Sequence, residues 1–162
     1  ANQDARLYGL DLSGFADVGR WGDWGQFTVS GMVNYVRGKN RTSGDNLYNM
    51  MPLHADFALE QASGGWNGRI ELELARAKQD VSATRNEVAT AGYGLLHLRG
   101  SYQWRALRLE FGAENLFDRF YQLPLGGAYL GQGKTMSGTG VPWGLAMPGK
   151  GRNLYASVTL AF

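Results

Sequence analysis

The residues of this chain that could do chemistry form a short inventory. There are five methionines (Met32, Met50, Met51, Met136 and Met147), two histidines (His54 and His97) and no cysteine. Without thiols, disulfides, thiolate metal sites and cysteine nucleophiles are excluded. Thioether and imidazole groups are soft or borderline ligands that suit copper, methionine especially the cuprous ion. Met50, Met51 and His54 fall close together, and Met136 and Met147 share a Gly-rich stretch near the C-terminus. These five are the candidate metal ligands. The plainer alternative is that the methionines fill irregular gaps, as methionine commonly does, and that His54 is a solvated residue. His97, two positions before Arg99, reads either as a ligand or as a hydrogen-bonded polar residue.

The charged residues permit a second chemistry. Glu71, Glu73, Glu110 and Glu114 alternate in step with Arg69, Arg99 and Arg108. Two carboxylates suffice for glycoside hydrolysis, but the same residues make a ladder of cross-strand charge pairs. No Ser/His/Asp arrangement has supporting context, so no catalytic residue is assigned and an enzyme is not expected. Gly133-Lys134-Thr135 ends like a phosphate loop, yet Ala128 stands where the first glycine is needed and no helical pattern follows. Asn40-Arg41-Thr42 is a glycosylation sequon by letters only. A net charge of +2, with 16 basic and 14 acidic residues scattered along the chain, is no nucleic-acid footprint.

The elements that must position these groups are strands. Apolar residues recur with period two over Tyr8–Val18, Phe27–Tyr35, Leu53–Glu60, Trp66–Leu74, Gly94–Gln103, Leu107–Glu114 and Leu154–Phe162. Each segment therefore has one apolar and one polar face. A soluble antiparallel sandwich alternates in the same way. Three features point instead to a membrane barrel. Connections alternate between short (Arg20–Asp23, Ala62–Gly65, Trp104-Arg105) and long (Gly38–Asn49, Gln79–Thr90, Asp118–Gly151). The polar faces carry full charges, which suit a wet lumen better than a packed core. Aromatic residues stand at strand ends, at Trp21, Trp24, Tyr35, Trp66, Tyr102, Trp104, Tyr155 and Phe162, as in the girdles at a bilayer interface. No run of 18 apolar residues offers a transmembrane helix.

The expectation is an all-β fold: an antiparallel transmembrane β-barrel segment of about seven strands. Bacterial single-chain barrels close with an even number. Either an eighth strand lies within Asp118–Gly151, making a self-contained small barrel with a structural, adhesive or passive-pore role, or the chain is a piece of a larger barrel. The abundant glycine and Pro124, Pro142 and Pro148 argue against a regular strand there and favour the piece. A soluble β-domain enzyme using the inward carboxylates is the remaining option.

Three stretches resemble TonB-dependent outer-membrane receptors. Gly112–Tyr121, G-A-E-N-L-F-D-R-F-Y, is similar to their penultimate strand and loop start. Gly38–Leu53 resembles their loop-to-strand return, and Gly151–Phe162 their last strand. Gly126–Gly151, and the Asn49–Leu53 return N-M-M-P-L, resemble the copper-type receptors. The resemblance implies an outer-membrane barrel of about 22 strands, with an N-terminal plug and, ahead of it, a box that contacts TonB. Residues 1–162 would then be the C-terminal barrel part, with plug and early strands absent. The implied partners are the lipid bilayer with its lipopolysaccharide, the missing plug and strands, and TonB through that plug. The implied cargo is a copper ion passed on rather than held as a tight cofactor, although siderophore and vitamin receptors share this wall. Asn115, Asp118 and Arg119 match the family's motif and read as braces at the strand-to-loop transition.

Overall fold

The computed structural model describes residues 3–85, 87–125 and 146–161. The strands are β1 (Ala5–Arg20), β2 (Gln26–Asn40), β3 (His54–Ser63), β4 (Trp66–Ala75), β5 (Tyr93–Trp104), β6 (Leu107–Glu114) and β7 (Asn153–Leu160), with a single 3-10 turn, Gly22–Trp24, between β1 and β2. They form one seven-stranded sheet in sequence order, every neighbouring pair antiparallel. The first two strands outrun their periodic cores, because backbone pairing from Ala5↔Asn40 to Arg20↔Gln26 continues where the apolar alternation has stopped. The register shifts between Asp17 and Gly19, and Gly19 takes φ 115°, a conformation that an L side chain resists.

The register joins the strand faces without a break. Ala16, Val29, Leu59, Ile70, Leu98, Ala113 and Leu154 lie in one row across all seven strands. The adjoining row, one residue away on each strand, is Asp17, Thr28, Glu60, Arg69, Arg99, Gly112 and Tyr155. A slip of one residue in any pair would put a charge among the apolar side chains, which is why register is tightly specified here.

Among the described residues no layer covers the apolar face. Leu10, Leu12, Phe57, Ile70, Leu72, Leu74, Phe111 and Val158 are all exposed. A soluble sheet would bury this face against another layer. The buried apolar residues among those described, Ala58, Ala75, Tyr93 and Leu95, all point to the other face. Ala75, Tyr93 and Leu95 form a small cluster with Tyr121, where the connection after β6 folds back and its ring meets that of Tyr93 at 4.6 Å. The bare face suits contact with lipid, and what packing the described residues make belongs to the inward side beneath the long connections.

Short and long connections fall at opposite ends, as the sequence predicts. Around the short turns Trp66 packs on Tyr102 at 4.6 Å and Trp21 on Phe27 at 5.3 Å. Tyr8 and Tyr35 meet at 6.5 Å at the other end. One expected girdle residue is corrected: Tyr155 lies on the polar face, opposite Gly112. Within the proposed eighth-strand segment, residues 118–125 and 146–151 make no strand, only the isolated bridge Gln122↔Pro148; residues 126–145, and Phe162, lie outside the described residues.

Candidate functional site

The inward face divides into two zones. Towards the short turns it is a ladder of paired charges. Arg69 donates to Glu71 at 2.8 Å and pairs with Glu60 across β3–β4. Arg99 lies opposite Arg69, and the two share Glu71, at 3.6 Å from Arg99; Arg99 also reaches Glu114 at 3.3 Å. Arg108 donates to Glu110 at 2.8 Å, and the Ser157 hydroxyl donates to the other Glu110 oxygen at 3.2 Å. The arrangement neutralises each arginine locally and keeps the wall polar. Cross-strand pairs are present as expected for Glu71 and Glu114, whereas Arg69–Glu71 and Arg108–Glu110 also pair along one strand and Glu73 departs from the ladder.

Towards the long connections the face changes character. Asp56 on β3 and Glu73 on β4 are directly opposed, and among the described residues no Arg or Lys ion-pairs with either. Imidazoles take that place. His54 Nδ1 stands 3.6 Å from Asp56 and its Nε2 stands 3.5 Å from Glu73 Oε1. His97 Nε2 stands 3.5 Å from Glu73 Oε2, and the Tyr93 hydroxyl donates to Glu73 Oε1 at 2.9 Å. His97 is only 8% exposed, and its Nε2 has no hydrogen-bond partner. The backbone amide of Asn115 donates to His97 Nδ1 at 3.3 Å, which leaves the ring proton on Nε2, aimed at Glu73. Met32 lies beside Asp56 in the same row.

The connection between β2 and β3 (residues 41–53) is clamped to that between β4 and β5 (76–92). Asp45 accepts from Ser82 Oγ at 2.8 Å and from the amides of Ala83 and Thr84 at 2.9 and 3.0 Å. These bonds, Thr84 foremost, hold its carboxyl well below the ordinary carboxylate range. Lys78 and Glu87 form a buried ion pair inside the second connection, and Glu87 also accepts from the amides of Ser82 and Asn49. The base of the last connection (115–152) is a short ladder, with Leu123 N on Met147 O and Gly149 N on Tyr121 O, both at 2.9 Å. Asn115 braces its start: its side chain donates to Arg119 O and Lys150 O and accepts from Arg119 N. Asp118 accepts from Arg152 N at 2.8 Å. Asn115 and Asp118 act through side chains, as the motif implies; Arg119 enters through its backbone.

The four candidate ligands among the described residues are dispersed. Met50 and Met51 line a hollow at the rim with Tyr35, Arg37, Lys78 and Asp80. His54 turns to the inward face, in a recess with Met32, Asp56, Glu71 and Glu73. Met147 stands half-exposed at the base of the last connection, and Met136 lies outside the described residues. No three His, Asp or Glu side chains among the described residues stand in ready coordination geometry. Sequence reasoning missed Glu73 as the carboxylate between the two histidines and Tyr93 as its donor, because only register reveals which groups face one another across strands.

A sheet bare and apolar on one face and charged on the other, with clamped long connections at one end, has the build of a segment of an antiparallel membrane β-barrel wall. Two solved structures share the fold. "Copper transporter OprC" superposes on 99% of this chain with a TM-score of 0.81 at 24% identity, and the ferric yersiniabactin uptake receptor FyuA from Yersinia pestis on 99% with a TM-score of 0.71 at 16% identity. Among curated proteins, "Heme/hemopexin utilization protein C" of Haemophilus influenzae (strain 86-028NP) is 29% identical over 128 residues, 74% of this chain. The chain spans 25% and 24% of the two structures' chains and 17% of the curated relative. No family model matches the chain. The resemblance read from the sequence holds at the level of the fold, and the proteins it is similar to are a transporter, a receptor and a utilization protein rather than enzymes.

Proposed function

We propose that residues 1–162 are the C-terminal barrel part of a TonB-dependent receptor that imports a metal, with copper as the cargo. The single observation that carries the transport reading is the pair of adjoining rows, one wholly apolar and one polar, that cross all seven strands. Such a wall separates lipid from a wet lumen. Copper is supported by the thioether donors Met50 and Met51 at the rim, by the His54 imidazole on the inward face, and by the likeness to a protein named as a copper transporter. The other two relatives are named for haem and for a ferric compound, so a transition metal, free or complexed, is common to all three.

In this mechanism the clamped outer connections capture the ion, TonB acts on a plug supplied by the rest of the protein, and the ion passes along the lumen by ligand exchange. The paired Arg–Glu ladder leaves few free charges to trap a cation in the lower half of the passage. The test is copper uptake by cells carrying the full-length receptor. Energised, TonB-dependent accumulation is expected in the wild type, and a fall is expected when Met136 and Met147 are both changed to Leu. Accumulation that is unchanged without TonB would refute the transport mechanism. Unchanged uptake in the double variant would remove those methionines from the path.

A further inference from the structure

Every other inward carboxylate on β3, β4 and β6 has an arginine: Glu60 and Glu71 share Arg69, Glu110 has Arg108 and Glu114 has Arg99. Asp56 and Glu73 have none among the described residues, although they are directly opposed. Like charges opposite each other destabilise a sheet unless something offsets them. What surrounds them is an ordered set of imidazole and phenol groups rather than a fixed cation.

The atoms are arranged in sequence. Asp56 faces Nδ1 of His54 at 3.6 Å, which favours the tautomer carrying the proton there and leaves the Nε2 lone pair free. That Nε2 faces Glu73 Oε1 at 3.5 Å. Glu73 Oε1 accepts from the Tyr93 hydroxyl at 2.9 Å, and Glu73 Oε2 stands 3.5 Å from the buried Nε2 of His97, which makes no hydrogen bond among the described residues. A carboxylate that orients a histidine, and hydrogen bonds that orient a ligating carboxylate, are the outer-shell supports of metal sites.

We propose that His54 Nε2 and Glu73 form an open, two-ligand way-station for Cu2+ on the lumen wall, with Asp56, Tyr93 and His97 as positioning residues. Two protein donors leave the remaining coordination positions to water or to groups across the lumen, so the ion is exchanged rather than kept. Imidazole and carboxylate donors place Cu2+ above the other divalent first-row ions. The site rests on the metal-transport reading for its purpose, not for its existence.

The experiment measures Cu2+ bound to the purified full-length receptor in detergent, by stoichiometry and by the nitrogen couplings in its electron paramagnetic resonance spectrum, alongside copper uptake in cells. His54→Gln is expected to lose one bound Cu2+ and its nitrogen coupling, and Glu73→Gln to lose the same ion. Asp56→Asn is expected to keep the stoichiometry but weaken that ion about 10–100-fold. If a glutamate variant fails to fold, as heat-modifiable gel migration reports, His54→Gln alone decides. A wild type that binds no Cu2+, or a His54→Gln receptor with unchanged stoichiometry and spectrum, overturns the site. Loss of the ion in His54→Gln by a receptor that imports no copper leaves the site standing and removes copper as the cargo.

Discussion

Lys78 and Glu87 meet at 2.5 Å with their side chains 2% and 5% exposed, and the same ammonium donates to the carbonyl of Pro124 at 3.0 Å. One buried lysine therefore ties the β4–β5 connection to the last one. Removing a single partner from such a pair strands a charge in a dry environment. Lys78→Met or Glu87→Gln is expected to cost about 3–5 kcal/mol locally. Limited proteolysis within 79–92 should become much faster in either variant. Lys78→Met combined with Glu87→Leu should recover part of the loss. Equal protection of wild type and single variants would show that the pair does not hold the connection.

Asp45 makes the clamp between the first two long connections sensitive to acid. Its carboxyl is held below the ordinary range by hydrogen bonds from Thr84, Ala83 and Ser82. A folded value below the unfolded one, about 3.9, gives stability that is complete above that pH and is lost as the pH falls towards the folded value. Hydrogen exchange at Ala83 and Thr84 should therefore stay slow at pH 5 and quicken below about pH 4. Asp45→Asn should show the quick exchange already at pH 7, with no further change on acidification.

The face assignment can be tested with one charge placed on either side. Ile70→Arg puts a guanidinium into lipid, at an expected cost of about 2–4 kcal/mol near the bilayer midplane. Asn67→Arg puts the same group on the opposite, polar face and should cost well under about 1 kcal/mol. Urea unfolding of the full receptor in lipid vesicles distinguishes them. Comparable losses would invert or abolish the lipid-facing reading.

Tyr155 lies over Gly112, where an added Cβ would sit 2.5 Å from the ring. Gly112→Val should overpack the β6–β7 pair at a cost of about 1–3 kcal/mol, seen as a lower thermal transition of the receptor. Adding Tyr155→Ala should relieve most of it. Absence of relief would mean that the strain arises elsewhere.

Much of the fold was legible because period two survives wherever one strand face meets lipid. The segment from Trp66 to Leu74 reads as strand without help, and the structure gives β4 over Trp66–Ala75. The strand ends were less legible. Ala5–Leu7 and Val36–Asn40 pair beyond the apolar core, where backbone bonding continues without any hydrophobic pattern. The site was legible only in part. His54 could be singled out by type, and Asp56 shares its face two residues on, but Glu73 sits on the neighbouring strand, and no single strand encodes that register. Tyr155 was misplaced because an aromatic residue at a strand end suggests an interface, and only the opposing Gly112 shows that it leans inward over a bare backbone. The clamp by Asp45 left no signal, since its donors lie in a different connection.

The meander order has a consequence for how such a wall is made. Each strand bonds only to its neighbours in sequence, so every pairing closes a hairpin and none waits for a distant part of the chain. Loop closure grows costlier only slowly with length, by about 0.6 kcal/mol per doubling, so even the long last connection adds little to bringing β7 beside β6. The wall is thus a string of near-independent hairpins, each able to dock on the previous one. A wall of this kind can be lengthened, shortened or recombined by whole hairpins while the two faces stay in phase.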